Sequence, residues 1–67
     1  MNYLVVKHGN CLLYRVGWNS PLCTVASNVS SAVLQNSDDI IVTRKDGNCV
    51  LYRITPSRTS AFVVRSL

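Results

Sequence analysis

The residues of this chain that could do chemistry gather in two short, nearly identical stretches, Lys7-His8-Gly9-Asn10-Cys11 and Lys45-Asp46-Gly47-Asn48-Cys49. A cysteine acts as a nucleophile when a neighbouring base or charge favours its thiolate. Here His8 is the only histidine, glutamate is absent, and the three aspartates, Asp38, Asp39 and Asp46, stand in turn-like settings. No acid–base pair, nucleophile–base set or Gly-rich phosphate cradle can be placed, so the expectation is a protein that is not an enzyme, with no catalytic residue and no cofactor. His8-x-x-Cys11 and Asp46-x-x-Cys49 would each set two potential ligands across a hairpin tip, and two tips meeting could offer four to zinc. A single Cys beside Gly-Asn reads more simply as a small buried hydrophobe, and Asp46 as the residue that starts a turn, so no metal site is expected.

Charge and aromatic residues offer a second kind of site. Arg44, Lys45, Arg53, Arg58 and Arg65 could line strands as a nucleic-acid surface, with Tyr3, Tyr14, Tyr52, Phe62 or Trp18 as stacking platforms. No RNP, OB or helix-turn-helix signature accompanies them. Solvated charges that keep strand edges apart are the commoner meaning of such a pattern. Trp18 stands in a polar loop where the matching position downstream is Pro56. It either anchors a partner or folds back to plug one end of the core, the second being the commoner fate of a large aromatic.

The elements that must position these residues come from an internal repeat. Residues 4–29 match 42–67 without a gap at an offset of 38, identical at Lys7, Gly9, Asn10, Cys11, Leu13, Tyr14, Arg15 and Val25. Each copy alternates β-branched and aromatic residues with polar ones and is punctuated by Gly, Pro, Asn and Ser, which reads as strand, tight turn, strand, loop, strand. Asp46-Gly47 suits a two-residue type I′ hairpin, replaced by His8-Gly9 or Gly9-Asn10 in the first copy. The third strands are expected over 22–29 and 60–67. The connector 30–41 is equally open to a linker, a helical turn or an extra short strand.

Alternation along the second strand of each copy puts Leu12, Tyr14 and Val16 on one face, and Val50, Tyr52 and Ile54 in the other copy. This face is expected to be core. The opposite face, Cys11, Leu13 and Arg15 with Cys49, Leu51 and Arg53, is identical twice over, which marks it as a candidate partner-binding surface together with Trp18. A recent duplication that left both faces alike explains the same identity.

Two resemblances attach to the second stretch. Asp46-Gly47-Asn48-Cys49 followed by Val50-Leu51-Tyr52-Arg53 resembles the nucleophile motif of OTU-type deubiquitinating cysteine proteases, which implies a catalytic thiol. One extra residue separates Cys49 from Tyr52, and the family's later histidine has no counterpart. Asp46-x-Asn48-x-Val50-x-Tyr52 is similar to the sugar-binding strand of bulb-type mannose lectins, which implies polar side chains bonding sugar hydroxyls. Arg44 stands where that family has Gln, and the first copy keeps only Asn10 and Tyr14.

At 67 residues the chain is one domain, residues 1–67, and a chain this short hides only about 60% of its unfolded surface. With 48% hydrophobic and 15% charged residues, some apolar surface is expected to meet another chain. No stretch reaches the ~20 apolar residues of a membrane span, and the N-terminal residues lack a signal-peptide pattern. A cytoplasmic protein with no membrane partner follows, with Cys11, Cys23 and Cys49 as free thiols, although one pair is possible. A net charge of +4, evenly divided between the halves, forms no basic tail. The reading is an all-β, small antiparallel six-stranded barrel or sandwich built from two tandem three-stranded meander repeats. Its expected function is protein binding, of inhibitor or adaptor type, with self-association as a homodimer or small ring. The alternatives are a basic nucleic-acid-binding β-domain and, more remotely, an altered carbohydrate-binding repeat.

Overall fold

A computed structural model describes every residue from Met1 to Leu67 and folds them into seven strands: β1 (Asn2–Lys7), β2 (Asn10–Arg15), β3 (Cys23–Ala26), β4 (Val29–Leu34), β5 (Asp39–Arg44), β6 (Cys49–Ile54) and β7 (Ala61–Ser66). The all-β expectation holds. The strand count and the closure do not, because the strands form two open antiparallel sheets, β1-β2-β3 and β4-β5-β6-β7. The seventh strand comes from the connector. Val29 opens β4, and the expected third strand of the first copy stops at Ala26, with a turn at Ser27-Asn28 that places Asn28 at φ 53°. The sheets face one another with β1 beside β4 and β3 beside β7. No helix is long and apolar enough to cross a membrane.

The two hairpins built from the repeated stretch close differently, and the difference decides which side chains reach the core. Between β1 and β2 the loop is two residues, His8 at φ 52° and Gly9 at φ 78°, so Lys7 pairs with Asn10 and Leu4 with Leu13. Positive φ at both loop positions is the mark of the type I′ turn. Between β5 and β6 the loop is three residues, Lys45-Asp46-Gly47. The Gly47 N–H donates to the Arg44 carbonyl at 2.9 Å and the Arg44 N–H to the Asn48 carbonyl at 2.8 Å. Only Gly47, at φ 93°, is left-handed there, which is a type I turn closed by a glycine bulge. The type I′ turn expected at Asp46-Gly47 therefore belongs to the other hairpin.

One additional loop residue slips the return strand by one position, and a slip of one turns every side chain to the other face. In β2 the inward residues are Cys11 and Leu13, both fully buried, while Leu12 and Tyr14 face outward and are half-buried. This corrects the expected core face of the first copy. In β6 the inward residues are Val50 and Ile54, with Tyr52 packed against the core, as expected. The core itself joins Cys11, Leu13, Val29, Ile40, Val42 and Ile54, edged by Leu4, Leu22, Cys23, Val25, Ala26, Ala32 and Leu34. Only eight of the 67 residues are buried, so the exposed apolar side chains become the informative ones.

Candidate functional site

The residues proposed as one binding face do not lie together. Cys11 and Leu13 are core, and Arg15 is half-buried at the end of β2. Cys49, Leu51 and Arg53 are on the outer face of the four-stranded sheet, where Leu51 is nonetheless almost covered, at 9% exposure. Cross-strand pairing sets Leu51 in a row with Val33, Ile41 and Arg65, between a row of Ser31, Thr43 and Cys49 and a row of Asp39, Arg53 and Phe62. The Cys49 thiol lies 3.6 Å from the Thr43 hydroxyl. All three cysteines are free. Burial pushes the Cys11 thiol up to about 11, reinforced by the nearby Cys23, whose own thiol burial also raises while a hydrogen bond from the Ala61 backbone opposes the rise.

Trp18 is not a core plug. The Trp18 N–H donates to the Arg15 carbonyl at 3.0 Å, closing a turn that returns the indole to the Arg15 guanidinium, 5.2 Å from the ring centroid. The indole stays half exposed. On the outer face of the three-stranded sheet, Tyr3 and Tyr14 stack with centroids 5.2 Å apart.

The five cations of the nucleic-acid reading are largely engaged. Arg53 Nε donates to Asp39 Oδ1 at 2.9 Å, Arg58 pairs with Asp38, and Arg44 stands 3.9 Å from Asp46. The Arg53 hydrogen bond, followed by that from Asn36, holds the Asp39 carboxyl below its usual range, and Asp39 in turn raises Arg53. Asn36 completes this corner by accepting the Asp38 and Asp39 N–H groups at 2.8 and 2.9 Å. Lys45 and Arg65 remain, one at a hairpin tip and the other on the outer row, which is no continuous track.

The motif resemblances find no geometry. Asp46 accepts the Asn48 N–H within the turn at 2.9 Å, Val50 is buried and Tyr52 packs on the core, so the lectin-like residues are not displayed on one exposed strand face. Cys49 begins a strand rather than a helix, unlike the protease motif. No group of three or more His, Cys, Asp or Glu side chains comes together, so the hairpin tips do not assemble a zinc ligand set.

The surface that does stand out was not proposed as a protein-binding site, although two of its residues, Phe62 and Arg65, were named in the nucleic-acid reading. β7 is the last strand of its sheet, paired as a strand only with β6, and Phe62 to Leu67 are all exposed: Phe62 48%, Val63 58%, Val64 37% and Leu67 57%. Its sequence signal was available as the run Ala61-Phe62-Val63-Val64, which breaks the apolar–polar alternation. Such a run fits a strand covered on both faces, yet here only Ala61 packs against the core and Phe62, Val63 and Val64 are exposed. Comparison with family models, with curated proteins and with solved structures finds no match to this chain.

Proposed function

We propose that the chain is a non-enzymatic protein-binding module that takes an extended polypeptide strand onto the free edge of β7, and that a second copy of the chain is its first partner. The observation that carries this reading is the exposed Phe62-Val63-Val64 edge. An edge strand presents unpaired N–H and C=O groups, and proteins ordinarily blunt such edges with charge, Pro or brevity. Here six residues carry one charge, Arg65, no Pro, and a single register shift opposite Leu51 and Tyr52. Main-chain pairing supplies affinity in strand addition, and the alternate side chains supply selectivity. An antiparallel pair of β7 strands about a twofold satisfies both chains at once, which suits a homodimer.

Light scattering checks this directly. The wild-type chain is expected at dimer mass, insensitive to salt because apolar and main-chain contacts dominate. Phe62→Lys with Val63→Lys is expected to give a monomer with unchanged far-ultraviolet circular dichroism. A wild-type monomer at millimolar concentration that captures no strand peptide sinks the proposal. Nuclease-sensitive assemblies that disperse steeply with salt would instead favour the nucleic-acid reading.

A further inference from the structure

At the end of the sandwich away from the hairpin tips lies a half-open cleft of about 400 Å³, lined by Met1, Asn2, Arg15, Leu34, Ser37 and Arg58. We infer that this cleft binds a carboxylate group, with Arg15 as its principal ligand. This inference uses no residue of β7 and stands apart from the edge proposal.

Two guanidinium groups share the cleft but are in different states. Arg58 is committed: it pairs with Asp38 and donates from Nη1 to the Ser37 carbonyl at 3.0 Å, while its own carbonyl accepts from Asn2 Nδ2 at 3.4 Å. It holds φ 65°, a left-handed conformation usually left to Gly or Asn. Arg15 has neither a carboxylate within salt-bridge distance nor a hydrogen-bond acceptor for its side chain. Its guanidinium lies over Trp18. A cation–π contact uses none of the guanidinium N–H donors, and their planar fork matches the two oxygens of a carboxylate.

The charge balance selects an anion. Asp38 compensates Arg58, which leaves the Arg15 guanidinium and the α-ammonium group of Met1, another residue of the cleft wall, as uncompensated positive charges. The Ser37 hydroxyl, which has no partner within the protein, adds a neutral donor, and Leu34 gives an apolar wall for the hydrocarbon body behind the acid. A volume of this size suits a small organic acid or one acidic side chain. The shared chemistry is a carboxylate on a short aliphatic stem, supplied either by a free acid or by an exposed Glu of a protein.

The test is a titration of the wild-type chain, followed by amide NMR and by the emission of its only tryptophan, with sodium isovalerate against sodium chloride at equal ionic strength. Saturable shifts at Asn2, Arg15, Ser37 and Arg58 and at the Trp18 indole N–H, absent with chloride, are expected. Shifts that grow without saturation, match those of chloride, or centre on Lys7, Lys45 and Arg65 overturn the site. Arg15→Gln is expected to weaken isovalerate about tenfold or more, and Lys7→Gln to leave it unchanged. An unaltered affinity in Arg15→Gln overturns the assignment. N-acetylglutamate amide supplies the second arm: tighter binding than isovalerate assigns the carboxylate to a protein side chain, and weaker binding assigns it to a free acid.

Discussion

The β1–β2 and β5–β6 hairpins start from nearly the same residues, Lys-x-Gly-Asn-Cys-x-Leu-Tyr-Arg, yet they present opposite faces of the return strand to the core. Leu13 is fully buried between the sheets, while its counterpart Leu51 lies in the outer row beside Ile41 and Arg65. The outgoing strands agree, since Leu4 and Val42 both point inward. The divergence therefore arises in the loop, where His8-Gly9 spends two residues at positive φ and Lys45-Asp46-Gly47 uses three with a glycine bulge. Side-chain identity in a strand says what a face could bury; the count of loop residues says which face does.

The strongest way to break this comparison is to equalise the loops. Replacing Lys45-Asp46-Gly47 by Asn-Gly imposes the two-residue register on β5–β6 and turns Val50 and Ile54 outward, with Arg53 carried toward the core. Each displaced aliphatic forfeits about 1.5–3 kcal/mol of burial. A chain of this length has roughly 3–10 kcal/mol to lose. Loss of amide dispersion and of a cooperative urea transition is the expected result, and a native-like transition would show that the loop does not set the register.

Less drastic is the truncation of the two leucines. Leu13→Ala removes a side chain with no exposure and is expected to cost about 2–5 kcal/mol. Leu51→Ala opens no enclosed cavity, because the outer face is bounded by solvent, and about half that cost or less is expected. Urea midpoints of the two variants decide it; equal losses would mean that the outer row is packed as tightly as the core.

Much of the fold was legible in the residues, and the reason for each failure is local. Alternation and turn residues marked β1, β2, β5 and β6 and placed Val50, Tyr52 and Ile54 inward. Strand β4 was indistinct because Val29-Ser30-Ser31-Ala32-Val33-Leu34 is rich in serine, and it forms only by pairing with β5 across a bulge. The face of β2 was misjudged because the repeat invites the same register twice, and Asp-Gly and His-Gly tips look interchangeable until the loop residues are counted. The exposed β7 edge was hidden for a different reason: an apolar run does not reveal whether its strand ends a sheet. The Arg15 cleft depends on Ser37 and Arg58 approaching from distant turns, which spacing along the chain does not report.

The smallest effects should appear at the paired cysteines of the two hairpins, which are identical in sequence and opposite in place. Cys11 is wholly buried and Cys49 partly exposed, so alkylation of the folded chain should label Cys49 well before Cys11. Cys11→Ser puts a hydroxyl among apolar neighbours and is expected to cost about 1–3 kcal/mol. Cys49→Ser keeps the Thr43 hydroxyl as a partner and should stay within about 0.5 kcal/mol of wild type. The pH response carries a further contrast. With its folded thiol near 11 against an ordinary 9.0, Cys11 stays protonated in the fold while the unfolded chain ionises. Over that window the unfolded state binds fewer protons, so the contribution of Cys11 is intact below 9.0 and shrinks as the pH climbs toward 11. The stability gap between wild type and Cys11→Ala, read from urea midpoints, should narrow across that range, and a constant gap would mean that the thiol is hydrated in the folded chain.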